Sequence, residues 1–300
     1  MRTEVDFIGP KGKSSFVQLL RPSSHRALLL VVHGAGACFQ TYIPFAYEMA
    51  MRGYAVATID LPGHGLSDGI PTHIRRYEDY LSAIGDALTW AIEKVAPEEH
   101  GVGSRARDAH SPDDSSRGRL PLLYLIGESY GAVLVLHYAL RRQEHITGLV
   151  LSAPAFGIQV PAWQLKLVQA MARLCPRVRL PRGSTAAVSS HPVAARIVAR
   201  SPLLHRRLTA RYVAELLKAG RDAAAAIHRL QKPVLVLTSN GDKVVDNNAT
   251  RAAFDRIACA DKTWYTQESH AHALLIDDPE GMATQVAKWI ASRLPATPHA

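Results

Sequence analysis

Cysteine is nearly absent from this 300-residue chain, which carries only Cys38, Cys175 and Cys259. They are far apart, odd in number and without metal-ligand spacing, so neither a disulfide framework nor a zinc site is expected; three buried free thiols are. Long apolar runs are missing as well, since none approaches the ~18 to 20 residues needed to cross a bilayer. The first residues, Met1-Arg2-Thr3-Glu4-Val5-Asp6, lack the apolar core of a signal peptide, and a soluble cytoplasmic protein is the expectation. Acidic residues are scarce in one region above all. Between Gly157 and Lys232 there are 14 Lys and Arg against 2 Asp and Glu, a balance of +12 in a chain whose net charge is +9. These cations form no single block interleaved with aromatics and no nucleic-acid motif accompanies them, so no nucleic-acid partner is expected. An anionic lipid surface or head group fits the pattern better, as a peripheral membrane contact.

What the sequence does have is alternation. Short apolar runs at 14–20, 26–32, 54–60, 121–127, 146–152, 233–239 and 262–267 alternate with helical patterns near 75–95, 130–142, 248–258 and 279–294. That order predicts an α/β protein with a mostly parallel central sheet flanked by helices, and a chain of this length can bury it as one large core. Residues 157–230 interrupt the alternation with helical patterns and read as an inserted helical cap on a core formed by 1–156 and 231–294. In the cap, Trp163, Leu167, Met171 and Leu174 share one helical face, which either packs onto the main domain or lines an acyl-binding groove. Residues 97–119 hold almost no apolar side chains and read as a mobile surface loop, and 295–300 as a frayed tail.

The chemistry is carried by Gly127-Glu128-Ser129-Tyr130-Gly131, placed between an apolar strand-like run and an apolar helix-like run. Gly-x-Ser-x-Gly in a strand–turn–helix setting is a nucleophile elbow, in which small glycines allow a turn so tight that the serine hydroxyl stands clear of the backbone. Ser129 is the candidate nucleophile. A serine hydroxyl needs an imidazole to take its proton, and the imidazole needs a carboxylate to hold its tautomer. With this elbow the partners follow in the order Ser, acid, His, after late strands. Asp242 lies in the turn after the run 233–239, with Asp246 as a competitor that can instead cap the following helix. After the run 262–267 come His270 and His272, and spacing alone does not choose between them. Backbone N–H groups of Tyr130, after the nucleophile, and of Ala35, in the glycine-rich turn His33-Gly34-Ala35-Gly36, are the candidate oxyanion-hole donors. His33 reads as a structural hydrogen bonder.

Taken together, these residues resemble the α/β-hydrolase superfamily, and within it the monoglyceride lipase and lysophospholipase branch of serine hydrolases. The landmarks are His33-Gly34-Ala35-Gly36, Asp60-Leu61-Pro62-Gly63-His64-Gly65-Leu66-Ser67, Gly127-Glu128-Ser129-Tyr130-Gly131 and Gly241-Asp242, with Ser201-Pro202-Leu203 and Leu208-Thr209-Ala210-Arg211-Tyr212 in the cap. In that branch the catalytic histidine opens a His-Glu-Leu-Leu-x-Glu phrase, which aligns with His272-Ala273-Leu274-Leu275-Ile276-Asp277 and implies His272 rather than His270. Asp60, His64 and Ser67 are implied to be scaffold residues of a turn. The chain departs from the branch at Ala273, Ala132 and Ser201, where the family usually has Glu, Gly and Asp.

The resulting expectation is a serine hydrolase for a carboxylic ester of a single-chain lipid, a monoacylglycerol or lysophospholipid, working through an acyl-enzyme without a metal or organic cofactor. Thioesters and small esters would be handled by the same machinery. A non-catalytic ligand-binding protein on the same fold is the alternative from another class.

Overall fold

The computed structural model describes residues 1–96, 121–182, 189, 200–268 and 271–295. The proposed loop 97–119, most of the tail 295–300 and His270 lie outside the described residues. Eight strands form the central sheet: β1 (Arg2–Ile8), β2 (Ser15–Arg21), β3 (Leu28–Val32), β4 (Ala55–Ile59), β5 (Leu123–Glu128), β6 (Gly148–Ser152), β9 (Val234–Ser239) and β10 (Lys262–Gln267). Their spatial order is β1-β2-β4-β3-β5-β6-β9-β10. The β1–β2 and β2–β4 pairs are antiparallel, and every other pair in this sheet is parallel. The mostly parallel sheet expected from the alternation is present.

Both faces of the parallel strands are covered, which is why they read as unbroken apolar runs. Side chains alternate across a strand, so Leu28, Leu30 and Val32 of β3 enter one core while Leu29 and Val31 enter the other. The first core is closed by α2 (Glu78–Val95), α3 (Tyr130–Arg141) and α5 (Ala210–Ala226). The second is closed by α1 (Ile43–Met51), α7 (Leu274–Asp277) and α8 (Pro279–Ala291). A further helix, α6 (Asn247–Asp255), follows β9.

The basic segment contributes α4 (Ala162–Leu174), α5 and a two-stranded antiparallel pair, β7 (Arg179–Pro181) with β8 (Arg207–Thr209). Its apolar stripe does neither of the things the sequence led us to expect. Trp163, Leu167 and Leu174 of α4 are 64%, 50% and 81% exposed, so this face meets solvent. It is Ala172, on another side of α4, that is buried. The expectation for the cysteines holds for Cys38 alone: all three thiols are free, but Cys175 is exposed and Cys259 partly so. Among the described residues no helix is long and apolar enough to cross a membrane.

Candidate active site

The elbow forms where β5 gives way to α3. Ser129 is the N-cap of α3 with φ 57° and ψ −116°, a backbone region an L-residue adopts only at a cost. Two contacts hold it there. Its N–H donates to the Ser152 carbonyl at 2.8 Å, and its own carbonyl accepts from the Ala155 N–H at 3.2 Å, both from the end of β6 and beyond. Neighbouring backbones explain the glycines. A Cβ on Gly131 would lie 2.1 Å from the Val32 carbonyl oxygen, and one on Gly127 2.4 Å from the Gly131 carbonyl carbon.

Asp242, in the turn after β9, and His272, in the loop before α7, meet although they are thirty positions apart in the chain. The His272 Nδ1 to Asp242 Oδ2 distance is 2.7 Å, and both side chains are almost fully buried. The other Asp242 oxygen accepts the N–H groups of Val244 (2.8 Å) and Val245 (3.1 Å). Burial works to raise the pKa of Asp242, yet the hydrogen bond and charge of His272 and these two amides outweigh it, and the net shift is downward. Asp242 is thus held ionised, with His272 Nδ1–H pointed at it. That leaves Nε2 as the free nitrogen, the tautomer a general base requires. Asp246 takes the other role open to it, capping α6 by accepting the Asn248 N–H at 2.9 Å.

Ser129, His272, Ala35 and Gly34 line one cavity of about 400 Å3. Its walls are largely apolar. Ile158, Val160, Leu208, Val213 and Leu216 come from the basic segment, and Val244, Val245 and Ile276 from the core. The basic segment therefore does line the cavity, but through the residues before α4, the β7–β8 pair and α5 instead of the α4 stripe. Tyr130 is the first residue of α3, and an N–H in the first turn of a helix has no intrahelical acceptor. His33 is structural: Nδ1 donates to the Gly34 carbonyl at 2.8 Å and Nε2 accepts the Leu61 N–H at 3.0 Å. Burial takes its pKa down to about 4, so it is neutral, as that bonding pattern needs. Asp60 accepts the N–H groups of Phe39 (2.6 Å) and Leu66 (2.8 Å), and its carbonyl accepts the Ser67 hydroxyl, which makes it the hub of a turn. Among the described residues no group of three or more His, Cys, Asp or Glu side chains converges where a metal ion could sit.

Glu128 was not among the residues picked out by sequence. It is buried directly beneath the elbow and accepts three hydrogen bonds, from the Tyr42 hydroxyl (3.0 Å), the Ser152 hydroxyl (3.1 Å) and the Leu275 N–H (2.9 Å). Tyr42 in turn accepts the Gly34 N–H at 3.2 Å. One carboxylate therefore ties together the oxyanion loop, the elbow and the start of α7 after His272. Burial pushes its pKa up to about 7, against the opposing pull of the Leu275 amide, the His272 charge and the two hydroxyls. The one signal in the sequence is an acidic residue at the end of an otherwise apolar strand.

Comparison with known proteins shows the family. The family described as "Serine aminopeptidase, S33" matches residues 23–279, and the chain belongs to that family of α/β-hydrolases. Among its relatives, the phospholipase YtpA of Bacillus subtilis is 25% identical over 85% of this chain and 90% of its own length. A monoacylglycerol lipase of Mycolicibacterium smegmatis is 23% identical over 98% of both chains. Among solved structures, a soluble variant of the Saccharomyces cerevisiae monoglyceride lipase has the same fold. Its TM-score is 0.81 at 15% identity, over 98% of this chain and 96% of that one.

Proposed function

We propose that the protein is a serine ester hydrolase acting on single-chain lipid esters. The observation that carries this reading is the buried 2.7 Å pair of His272 and Asp242 opening onto the cavity that Ser129 lines from a strained elbow. Ser129 Oγ attacks the ester carbonyl while His272 Nε2 takes its proton, and Asp242 stabilises the imidazolium. The amides of Ala35 and Tyr130 receive the developing oxyanion. The proton passes from His272 to the leaving alcohol, and water, activated by the same imidazole, then cleaves the acyl-enzyme. The apolar walls give an acyl chain a place to leave water, and the names of the relatives, phospholipase and monoacylglycerol lipase, point to lipid esters.

The second part of the proposal is a peripheral contact with an anionic membrane. The exposed α4 residues Trp163, Leu167 and Leu174 lie in the same stretch of chain as the exposed cations Lys166, Arg173, Arg177 and Arg179, the combination of apolar and basic side chains that such a contact uses.

Fatty-acid release from a monoacylglycerol and from an acyl thioester of the same chain tests the chemistry. Ser129→Ala is expected to lower kcat by about 10^4-fold or more, and Asp242→Asn by about 10^4-fold through loss of the tautomer. Near-full turnover by Ser129→Ala would remove the assignment, and a large excess of thioester hydrolysis would move it to thioesterase.

A further inference from the structure

Among the described residues, the ionisable side chains lining the catalytic cavity that belong to Glu, Arg, Lys or His are Glu128, Arg182, Lys243 and His272. Two of them are accounted for by the catalytic arrangement: Glu128 is engaged by Tyr42, Ser152 and Leu275, and His272 by Asp242. The remaining two are both cations. Lys243 is exposed, in the turn after Asp242. Arg182 is partly buried and follows β7 in the basic segment.

The anchoring of Arg182 leaves most of its guanidinium unused. Its backbone N–H donates to the Arg206 carbonyl at 3.0 Å, which fixes the chain. Its stem packs on the oxyanion loop, with Cδ 3.3 Å from the place a Cβ on Gly36 would occupy. Nη1 reaches the Gly36 carbonyl at 3.4 Å, the long limit for an N–H···O bond, and this is one of five donors. Among the described residues no carboxylate ion-pairs with it. The acidic groups it senses are the hydroxyls of Tyr42 and Tyr212 and the thiol of Cys38, and burial keeps all three neutral by raising their pKa values. Partial burial already works against the charge of Arg182, an anion beside it would offset that cost, and its planar donors match a phosphate.

We propose that this cavity takes an ester whose leaving alcohol carries a phosphate, and that Arg182 is the residue that binds the phosphate, with Lys243 adding attraction at the acid loop. This rests on the ester-hydrolase reading above. The acyl chain of a lipid is uncharged and belongs on the apolar walls, so the anion belongs to the alcohol side. Arg182 packs on Gly36, the residue after Ala35, and lines the same cavity as Ser129 and His272, from whose acyl carbon the alcohol departs. The substrate class is therefore a lysophospholipid in preference to a neutral monoacylglycerol.

Two esters differing by one phosphate make the test: 1-octanoylglycerol and 1-octanoylglycerol 3-phosphate, used as monomers in solution so that no membrane enters the comparison. The wild type is expected to favour the phosphate ester in kcat/KM by roughly tenfold or more, as charge-assisted bonds to phosphate allow. Arg182→Gln should cancel that preference by raising KM for the phosphate ester, and Arg182→Lys should restore part of it. Calorimetric binding of 1-octanoylglycerol 3-phosphate to Ser129→Ala, with and without Arg182→Gln, reads the site without turnover and should weaken about tenfold.

If Arg182→Gln lowers both esters alike, the guanidinium only braces the oxyanion loop and the proposal falls. An unchanged ratio of the two esters overturns it as well. If the wild type hydrolyses neither ester above the Ser129→Ala level but binding still depends on Arg182, the phosphate site stands and the ester-hydrolase reading fails. Loss of both turnover and binding removes both.

Discussion

Glu128 is an acidic side chain at the end of an apolar strand, and its burial makes its charge conditional. With a pKa raised from 4.5 to about 7, folding favours its protonated form. Its contribution to stability is therefore fully present below about pH 4.5 and is lost as the pH rises through about 7. When ionised, it adds a second negative charge near His272 and favours the imidazolium that forms as Ser129 attacks. Glu128→Gln keeps the shape and removes the charge. We expect kcat/KM to fall about tenfold above pH 7, where the wild-type Glu128 is ionised, and little below it, where it is protonated and carries no charge to lose. Relative to wild type, the melting temperature of the variant should improve between pH 5 and pH 8. A loss of the same size on both sides of pH 7 would mean that the carboxylate serves only to hold Tyr42, Ser152 and Leu275.

The β5–α3 unit works because its glycines admit a second strand's backbone. Gly131 packs against the carbonyls of Val32 and His33 at the end of β3, where an added Cβ would come within 2.1 and 2.7 Å of them. Neither backbone has room to retreat, since β3 is hydrogen-bonded on both sides. Gly131→Ala is expected to cost about 3 kcal/mol in urea unfolding, and a loss below ~1 kcal/mol would show that the strand end can yield. This element was legible in the sequence because apolar run, glycines and serine all pointed the same way. The ones that were not legible lacked such agreement. In β1 both faces are largely exposed, so no apolar face marks it, and α1 has Pro44 in its first turn, no side-chain cap and few polar residues. β7 and β8 are three residues each, too short to show a period. The α4 stripe was visible, but periodicity tells which side chains share a face and not what covers it. At the site, Ser129 and Asp242 followed from elbow and order, whereas choosing His272 required the family likeness. Glu128, Tyr42 and Arg182 reach one cavity only because the fold brings together segments far apart in the chain, and no local pattern records that.

For the whole molecule, the distribution of charge separates two tasks. The balance of +12 within 157–232 and −3 elsewhere puts the cations on the part of the molecule that carries the exposed α4 face and also walls the cavity. A membrane contact there would combine apolar burial with attraction to anionic lipid, and the two terms respond differently to the medium. Salt screens the attraction over a Debye length that shrinks from roughly 10 Å at 0.1 M to roughly 3 Å at 1 M, while burial of Leu167 and Leu174 is untouched by that screening. Sedimentation with vesicles containing phosphatidylglycerol should therefore weaken as salt rises without disappearing, and neutral phosphatidylcholine vesicles should bind less at low salt. Leu167→Ala combined with Leu174→Ala is expected to lower the partition coefficient by roughly tenfold or more at every salt concentration, the apolar area removed being that of several buried methylenes. The salt dependence of what remains should be unchanged, because the cations are still there. If the double variant binds as wild type, α4 is not the docking face, and if salt has no effect, the basic segment acts through the cavity alone.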